Sequence, residues 1–347
     1  MQGNNPYTLM FGKEPPQAIN RVTQLAEVTD SFNAEQPSQQ MFMISGIRGS
    51  GKTVFMTEIA KELGKGKEWV IVRLNSTQNL LEDLAAALAS ENYLARIFQK
   101  ASINLSLFGI GLEVKGIAPV SSIQIALTKM LESLKEHDRK LLICIDEVSV
   151  TEYMKAFAGA YQIFLGQDLP VYLLMTGLYD NINDLRNEKN LTFLYRAPRM
   201  ELLPLNLSNI ADNYRKNLNI GDEEAERMAK LTRGYSFAFQ VLGYFTWKYT
   251  GDLEKAIPDT RSYLDEYVYD KVWSEMSHND RKFAYHTARS EDGRAKTIKE
   301  SSGFSDRDYS VYRDRLIKRG ILNGKEHGIV RFTLPMFEDY AIMNFIP

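Results

Sequence analysis

Gly46-Ile47-Arg48-Gly49-Ser50-Gly51-Lys52-Thr53 fits the phosphate-loop pattern G-x-x-x-x-G-K-[ST], and its reading decides the fold. The flanks suit it. Met41-Phe42-Met43-Ile44 reads as a short buried strand and Val54 to Leu63 has helical spacing, so the loop joins strand to helix as the motif requires. A triphosphate is densely anionic, and glycines let successive backbone N–H groups turn inward at a helix N-terminus to form an anion nest. Residues Gly46 to Gly51 would supply that cradle. Lys52 would reach the β- and γ-phosphates, and Thr53 would offer its hydroxyl to Mg²⁺, which prefers oxygen ligands. A glycine-rich turn followed by chance by Lys-Thr is the competing reading, and the flanking strand and helix argue against it.

Working outward, Lys140-Leu141-Leu142-Ile143-Cys144-Ile145 is a fully apolar strand that ends in Asp146-Glu147. An apolar strand closing on an acid is the second half of a nucleotide site. Asp146 would hold hydrated Mg²⁺ and Glu147 would orient and deprotonate the attacking water. In isolation a solvated acidic pair is the better reading; downstream of a phosphate loop the metal reading is preferred. Trp69 to Leu74 and Leu169 to Met175 are further buried strands, the latter ending at Thr176-Gly177. Thr176 would sense the γ-phosphate or hold the water, or it simply ends a strand. Thr192 to Leu205 reads as a short helix, a turn and a last strand, with Arg196 and Arg199 as local cations. Either would stabilise charge building on the γ-phosphate, or form a surface ion pair.

Helical spacing covers about 21–32, 80–88, 121–135 and 152–164. Alternation at Ile103-Leu105-Leu107 and Ile110-Leu112-Val114, broken at Gly109, predicts a β-hairpin inserted in the α/β pattern. From Ser208, taken as a helix cap, to about Glu266 the strands stop and helices take over, one of them opened by Gly234-Tyr235-Ser236. Beyond Lys271 the grammar changes again. Helices over 280–288 and 295–302, the Gly303 turn, a helix over 306–320 and two short strands around Asn323 to Gly328 make a winged helix. Its third helix carries Arg307, Tyr309, Tyr312, Arg313, Arg315, Lys318 and Arg319, types suited to phosphate contact and groove entry. Asp306, Asp308 and Asp314 temper that basic face, and many winged helices contact protein instead.

The chain has 347 residues, 44% hydrophobic and 25% charged, long enough for two or three domains with sizeable cores. A formal net charge of −2 does not mark it as a nucleic-acid coat or a polybasic membrane binder. Cys144, the single cysteine, lies in an apolar strand, so no intramolecular disulfide forms. No run of about eighteen apolar residues and no apolar leader after a basic patch is seen, so a cytoplasmic protein without membrane contact is expected.

In their order along the chain these pieces resemble the AAA+/STAND superclass of P-loop ATPases, in particular the prokaryotic branch with an origin-recognition-like core followed by a winged helix. The carrying residues are Asn5-Pro6-Tyr7 to Phe11-Gly12, Gly46 to Thr53, Leu141 to Glu147, Leu173 to Leu178, Phe193-Leu194-Tyr195-Arg196-Ala197 and Tyr312 to Gly320. The resemblance implies a five-stranded parallel core, a helical lid over ATP, and hydrolysis coupled to lid movement. It implies three domains: an ATPase core with its N-terminal arm at 1–205, a lid at 206–268 and a winged helix at 269–347. Arg196 matches the position of a nucleotide-sensing or finger arginine, acting in cis or on a neighbouring subunit. Arg21 follows Asn20 where relatives usually carry Gly-Arg near the adenine, and Ser236 stands where the lid motif commonly has proline. Adenine over guanine rests on the resemblance.

The function expected first is therefore an ATP- and Mg²⁺-dependent switch whose winged helix contacts duplex DNA, with ATP and ADP as ligands. The alternative is a signalling scaffold in which the winged helix contacts protein and self-association is the output. A phosphotransferase is the third reading, disfavoured because tandem acids select water as nucleophile.

Overall fold

The computed structural model describes residues 3–10, 15–189 and 191–346, so Phe11-Gly12 of the N-terminal arm lies outside the described residues. Contacts divide the chain into two compact units, one of residues 22–45 and 52–201, the other of 1–21, 46–51 and 202–347.

The first unit runs α1 (Val22–Asn33), β1 (Met41–Ser45), α2 (Lys52–Leu63), β2 (Trp69–Asn75), α3 (Leu80–Ser90), α4 (Asn92–Lys100) and α5 (Ile123–Lys135). It continues with β3 (Lys140–Asp146), α6 (Glu152–Gly166), β4 (Val171–Gly177), α7 (Tyr179–Arg186) and β5 (Arg199–Glu201). The five strands form one parallel sheet in the order β2-β3-β4-β1-β5. Parallel strands are covered by helices on both faces, which is why β1, β3 and β4 are near-continuous apolar runs; every residue of β4 is buried. Leu141, Ile143 and Ile145 enter one core with residues of α3, α5 and α6. On the other face Phe32 of α1 packs on Phe42 and Tyr172, with ring centroids 5.5 and 5.1 Å apart. Burial pushes the Cys144 thiol up to about 12, so it stays protonated as a small core group. The register sets Ser45 beside Gly177 and Asn75 beside Asp146, which aligns the C-terminal strand ends along one edge.

The hairpin expected over 102–114 is absent: no strand is assigned there, only a 3-10 turn at Ser106–Phe108. The alternation has another cause. Ile103, Leu105 and Leu112 point into the core without a partner strand. A single backbone bond from Leu105 N to Leu112 O at 2.7 Å joins the two arms, and the buried Asn104 side chain adds to it, donating to Ile117 O at 2.7 Å and accepting from Ser106 N at 3.0 Å.

The second unit contains α8 (Leu207–Leu218), α9 (Asp222–Thr232), α10 (Ser236–Lys248) and α11 (Leu253–Leu264), a π-helical turn at Asp265–Tyr269, and α12 (Asp270–Ser274). Asn206, not Ser208, caps α8, accepting from Asn209 N. Then come α13 (His278–Arg289), α14 (Ala295–Ser302), α15 (Asp306–Lys318), the antiparallel pair β6 (Leu322–Asn323) and β7 (Arg331–Phe332), and α16 (Phe337–Asn344), which the sequence reading missed. Three helices followed by a two-stranded ribbon are the element content of a winged helix. Gly303, at φ +69°, makes the turn between α14 and α15. No described helix is long and apolar enough to cross a membrane.

The π-helical turn carries a buried charge problem. Burial pushes Asp265 up from 3.8 to about 6, helped by Asp270 and Asp339 and opposed by Arg261, and one carboxylate oxygen is buried without a partner. Tyr269 and Tyr340 also face it. A raised folded-state value favours folding at pH below 4 and loses that contribution as pH rises through 6. Asp265→Asn is therefore expected to raise the thermal midpoint at pH 7.5, with the gain shrinking to nothing near pH 4; an equal gain at both pH values would refute the assignment. Partial solvent screening keeps the effect to a few degrees.

Candidate active site

In the first unit, the site is built where β3 and β4 end. Asp146 accepts from Thr53 Oγ1 through Oδ2 at 2.6 Å. Its Oδ1 accepts from the fully buried Thr176 hydroxyl and from Glu147 N at 3.0 Å. Thr176 thus spends its hydroxyl on holding Asp146. Glu147 has φ +49°, in the left-handed region that costs a non-glycine residue about 1–2 kcal/mol. The conformation is held from both sides: Ser76 Oγ donates to Glu147 O at 3.3 Å, and Val148 N donates to Thr176 O at 2.9 Å. Its side chain stays exposed. A pinned, strained backbone that presents a free carboxylate beside a carboxylate–threonine pair is what positioning a water beside a metal requires. Lys52 opens α2 and Thr53 follows it in the first turn.

Arg196 ends the 3-10 turn Thr192–Arg196 and is exposed, with no hydrogen bond or ion pair among the described residues. Its neighbours are engaged. Arg186 donates to Tyr195 O at 2.6 Å and lies over that ring at 5.1 Å, and Arg199 lies over Tyr179 at 4.9 Å.

In the second unit, the loop Gly46 to Gly51 has Gly49 at φ +74° and Gly51 at φ +90°, which is why glycine occupies both. Three consecutive carbonyls of this loop are held by the start of α10. Tyr235 Oη donates to Arg48 O at 2.7 Å, Phe237 N to Gly49 O at 3.2 Å and Ser236 Oγ to Ser50 O at 2.9 Å. Arg21 braces the same corner, its Nη2 lying 3.0 Å from both Ser50 O and Ser236 Oγ and its Nε 3.1 Å from Leu203 O. A Cβ on Gly49 would collide with the Tyr235 hydroxyl. Ser50 Oγ and Arg48 Nε are buried without partners, so the loop keeps polar atoms that a bound anion or water would satisfy. Ile47 packs against the apolar cluster that includes Leu316 and Ile321, and Arg48 pairs with Glu275 at 3.2 Å. Tyr235 was invisible to sequence reasoning, since no motif flags a tyrosine that binds a loop carbonyl.

The residues expected to meet DNA separate into two groups. Arg307 and Lys318 are exposed on α15. Tyr309 is a correction: it is 7% exposed, packs 5.2 Å from Phe283 and leaves a buried hydroxyl, so it is a core residue. Arg315 is another, because it donates to both oxygens of Asp280 at 3.2 and 3.1 Å, and Asp280 is 1% exposed. Removing it would strand a buried carboxylate, so it serves the fold. Arg313 is half-buried, donating to Asp314 at 2.7 Å and to Gly324 O.

Residues 18–155 match the AAA ATPase domain family, and residues 266–341 match a domain of unknown function (DUF8462). No match was found among curated proteins. Among solved structures, the Walker-type ATPase of Pyrococcus abyssi is similar over 93% of this chain and 96% of its own, at 14% identity and a TM-score of 0.65. The ORC2 protein of Aeropyrum pernix, solved in ADPNP–ADP complexes, matches over 96% and 95% at 12% identity and a TM-score of 0.63. Cdc6p of Pyrobaculum aerophilum matches over the same shares at 13% identity and a TM-score of 0.50. At such identities the likeness carries the fold alone, and the domain match carries the chemistry: the chain is an ATPase that contains an AAA ATPase domain over residues 18–155 and shares the fold of these solved structures.

Proposed function

We propose that this ATPase is a nucleotide-driven switch, with an ATPase core at 1–205, a lid at 206–268 and a winged helix at 269–347. The observation that carries the chemistry is the Asp146 carboxylate, bonded to Thr53 and Thr176 beside the strained Glu147. Thr53 and Asp146 fit as the residues holding Mg²⁺, which when bound neutralises phosphate charge. Lys52 and the amides of Gly46 to Gly51 bind the triphosphate. Glu147 takes the proton of the attacking water. Arg196, exposed and unpaired among the described residues, would meet phosphate charge in cis or from a neighbouring copy.

The coupling follows from the loop itself. Ile47 and Arg48 contact the C-terminal segment, and a half-exposed ion pair such as Arg48–Glu275 contributes at most about 1 kcal/mol, weak enough to break in each cycle. The output is contact with duplex DNA through Arg307 and Lys318. Purified protein is expected to retard duplex DNA with a steep salt dependence, and Arg307→Glu with Lys318→Glu to lower the salt slope by about 2. No retardation at low salt refutes the DNA output.

A second reading, protein contact with self-association as output, is favoured by the exposed side of α15. There Asp306, Asp308 and Asp314 offset Arg307 and Lys318, since Arg315 is spent on Asp280. ATP turnover with and without duplex DNA separates the two: stimulation by DNA supports the first, and unstimulated slow turnover the second.

A further inference from the structure

We infer that Tyr235 and Ser236, at the start of α10, are positioning residues for the triphosphate, because they fix which way the phosphate loop's amides point. The inference rests on the reading that this loop binds the triphosphate. Its physical basis is the planarity of the peptide unit: in a trans peptide the C=O of one residue and the N–H of the next point in opposite directions. No described peptide bond is cis. Anchoring the carbonyls of Arg48, Gly49 and Ser50 on α10 therefore turns the N–H groups of Gly49, Ser50 and Gly51 toward the opposite side of the loop. Ser50 N then also reaches Ile47 O at 3.2 Å within the loop.

Left-handed glycines give the loop freedom to adopt this shape, but they give equal freedom to leave it. Without the anchors, binding would have to order the loop each time, and the affinity would fall by that entropy. Tyr235 supplies a rigid anchor. Its ring is buried in the apolar cluster that also holds Val241 and Leu264, and its hydroxyl reaches Arg48 O at 2.7 Å. Burial pushes that hydroxyl far above the ordinary tyrosine value, so it stays a donor at every working pH. Ser236 adds a second donor that Arg21 holds in place. Proline, which the resembled lid motif commonly has where Ser236 stands, has no side-chain donor and could not make this bond.

The test compares the full-length protein with Tyr235→Phe, Ser236→Ala, the double variant, Ser236→Thr and Lys52→Ala. ATP and ADP affinities are measured by calorimetry, turnover at saturating ATP, and thermal midpoints without nucleotide. Each lost hydrogen bond is expected to raise the dissociation constants for ATP and ADP about 2- to 12-fold, with kcat within twofold of the parent. Ser236→Thr, which keeps the hydroxyl, should bind as the parent does. A purely structural role would lower the thermal midpoint and leave the affinity of the folded fraction unchanged, which would overturn the inference. So would parental affinity in the double variant while Lys52→Ala loses binding, a result that leaves the site reading intact. Parent protein that binds no ATP would remove both. If the double variant does not fold, the contrast between Ser236→Ala and Ser236→Thr decides, and equal affinities in those two refute the role of Ser236.

Discussion

Glu147→Gln is expected to bind ATP as tightly as the parent and to turn it over about 10²- to 10⁴-fold more slowly, the range that a positioned general base supplies. The amide matches the carboxylate in shape and keeps the residue's packing, but it cannot accept the proton of the attacking water. The backbone should not move, since φ +49° is held by Ser76 on the carbonyl side and through Thr176 by the next peptide. Single-turnover hydrolysis with binding measured in parallel checks this; retained hydrolysis would take Glu147 out of the role. Glu147→Gly offers the complementary control. It relieves the left-handed strain, so it should lose turnover while holding or gaining stability, which separates a strained functional residue from a merely stabilising one.

Lys52→Ala is expected to cost at least about 100-fold in ATP affinity. Hydrogen bonds to charged groups contribute about 1.5–3 kcal/mol each, and a lysine bridging the β- and γ-phosphates makes two of them. The cleanest readout is the thermal midpoint. Ligand at 100 times its dissociation constant stabilises the native state by about 2.7 kcal/mol, so ATP should raise the parent's midpoint by several degrees and leave that of Lys52→Ala unmoved. An ATP-dependent rise in the variant as large as the parent's would show that the phosphates are held elsewhere.

The parallel core was legible because its physics is local. A strand covered on both faces must be apolar throughout, so Met41 to Ile44, Leu141 to Ile145 and Leu173 to Met175 announce themselves, and each ends on a residue type that breaks the run. The phosphate loop is equally local, eight residues whose glycines and Lys-Thr carry their meaning in order. What failed to show needed distant partners. Ile103, Leu105 and Leu112 alternate like a strand, but whether a second strand is there to pair with is a tertiary question, and Asn104 answered it by tying a coil. Arg315 resembles any surface cation until Asp280 is found buried beneath it, thirty-five residues away in the chain. Tyr309 lies on a helix rich in charge, yet its face is the one that meets Phe283. Tyr235 donates across nearly two hundred residues to a carbonyl, and a backbone acceptor leaves no trace in the letters of a sequence.

The close fit between the Tyr235 hydroxyl and Gly49 has an evolutionary consequence. The second position of a loop such as Arg48-Gly49-Ser50 is nominally free to drift, since the motif constrains only its ends. Here a side chain on residue 49 meets the tyrosine hydroxyl as well as an unfavourable φ of +74°, so neither residue can change alone without cost. In a lineage descended from this chain the two positions should change together: tyrosine at 235 should persist only where 49 remains glycine. Helix α10 and the phosphate loop would then be inherited as one unit of selection, although 186 residues of sequence separate Gly49 from Tyr235.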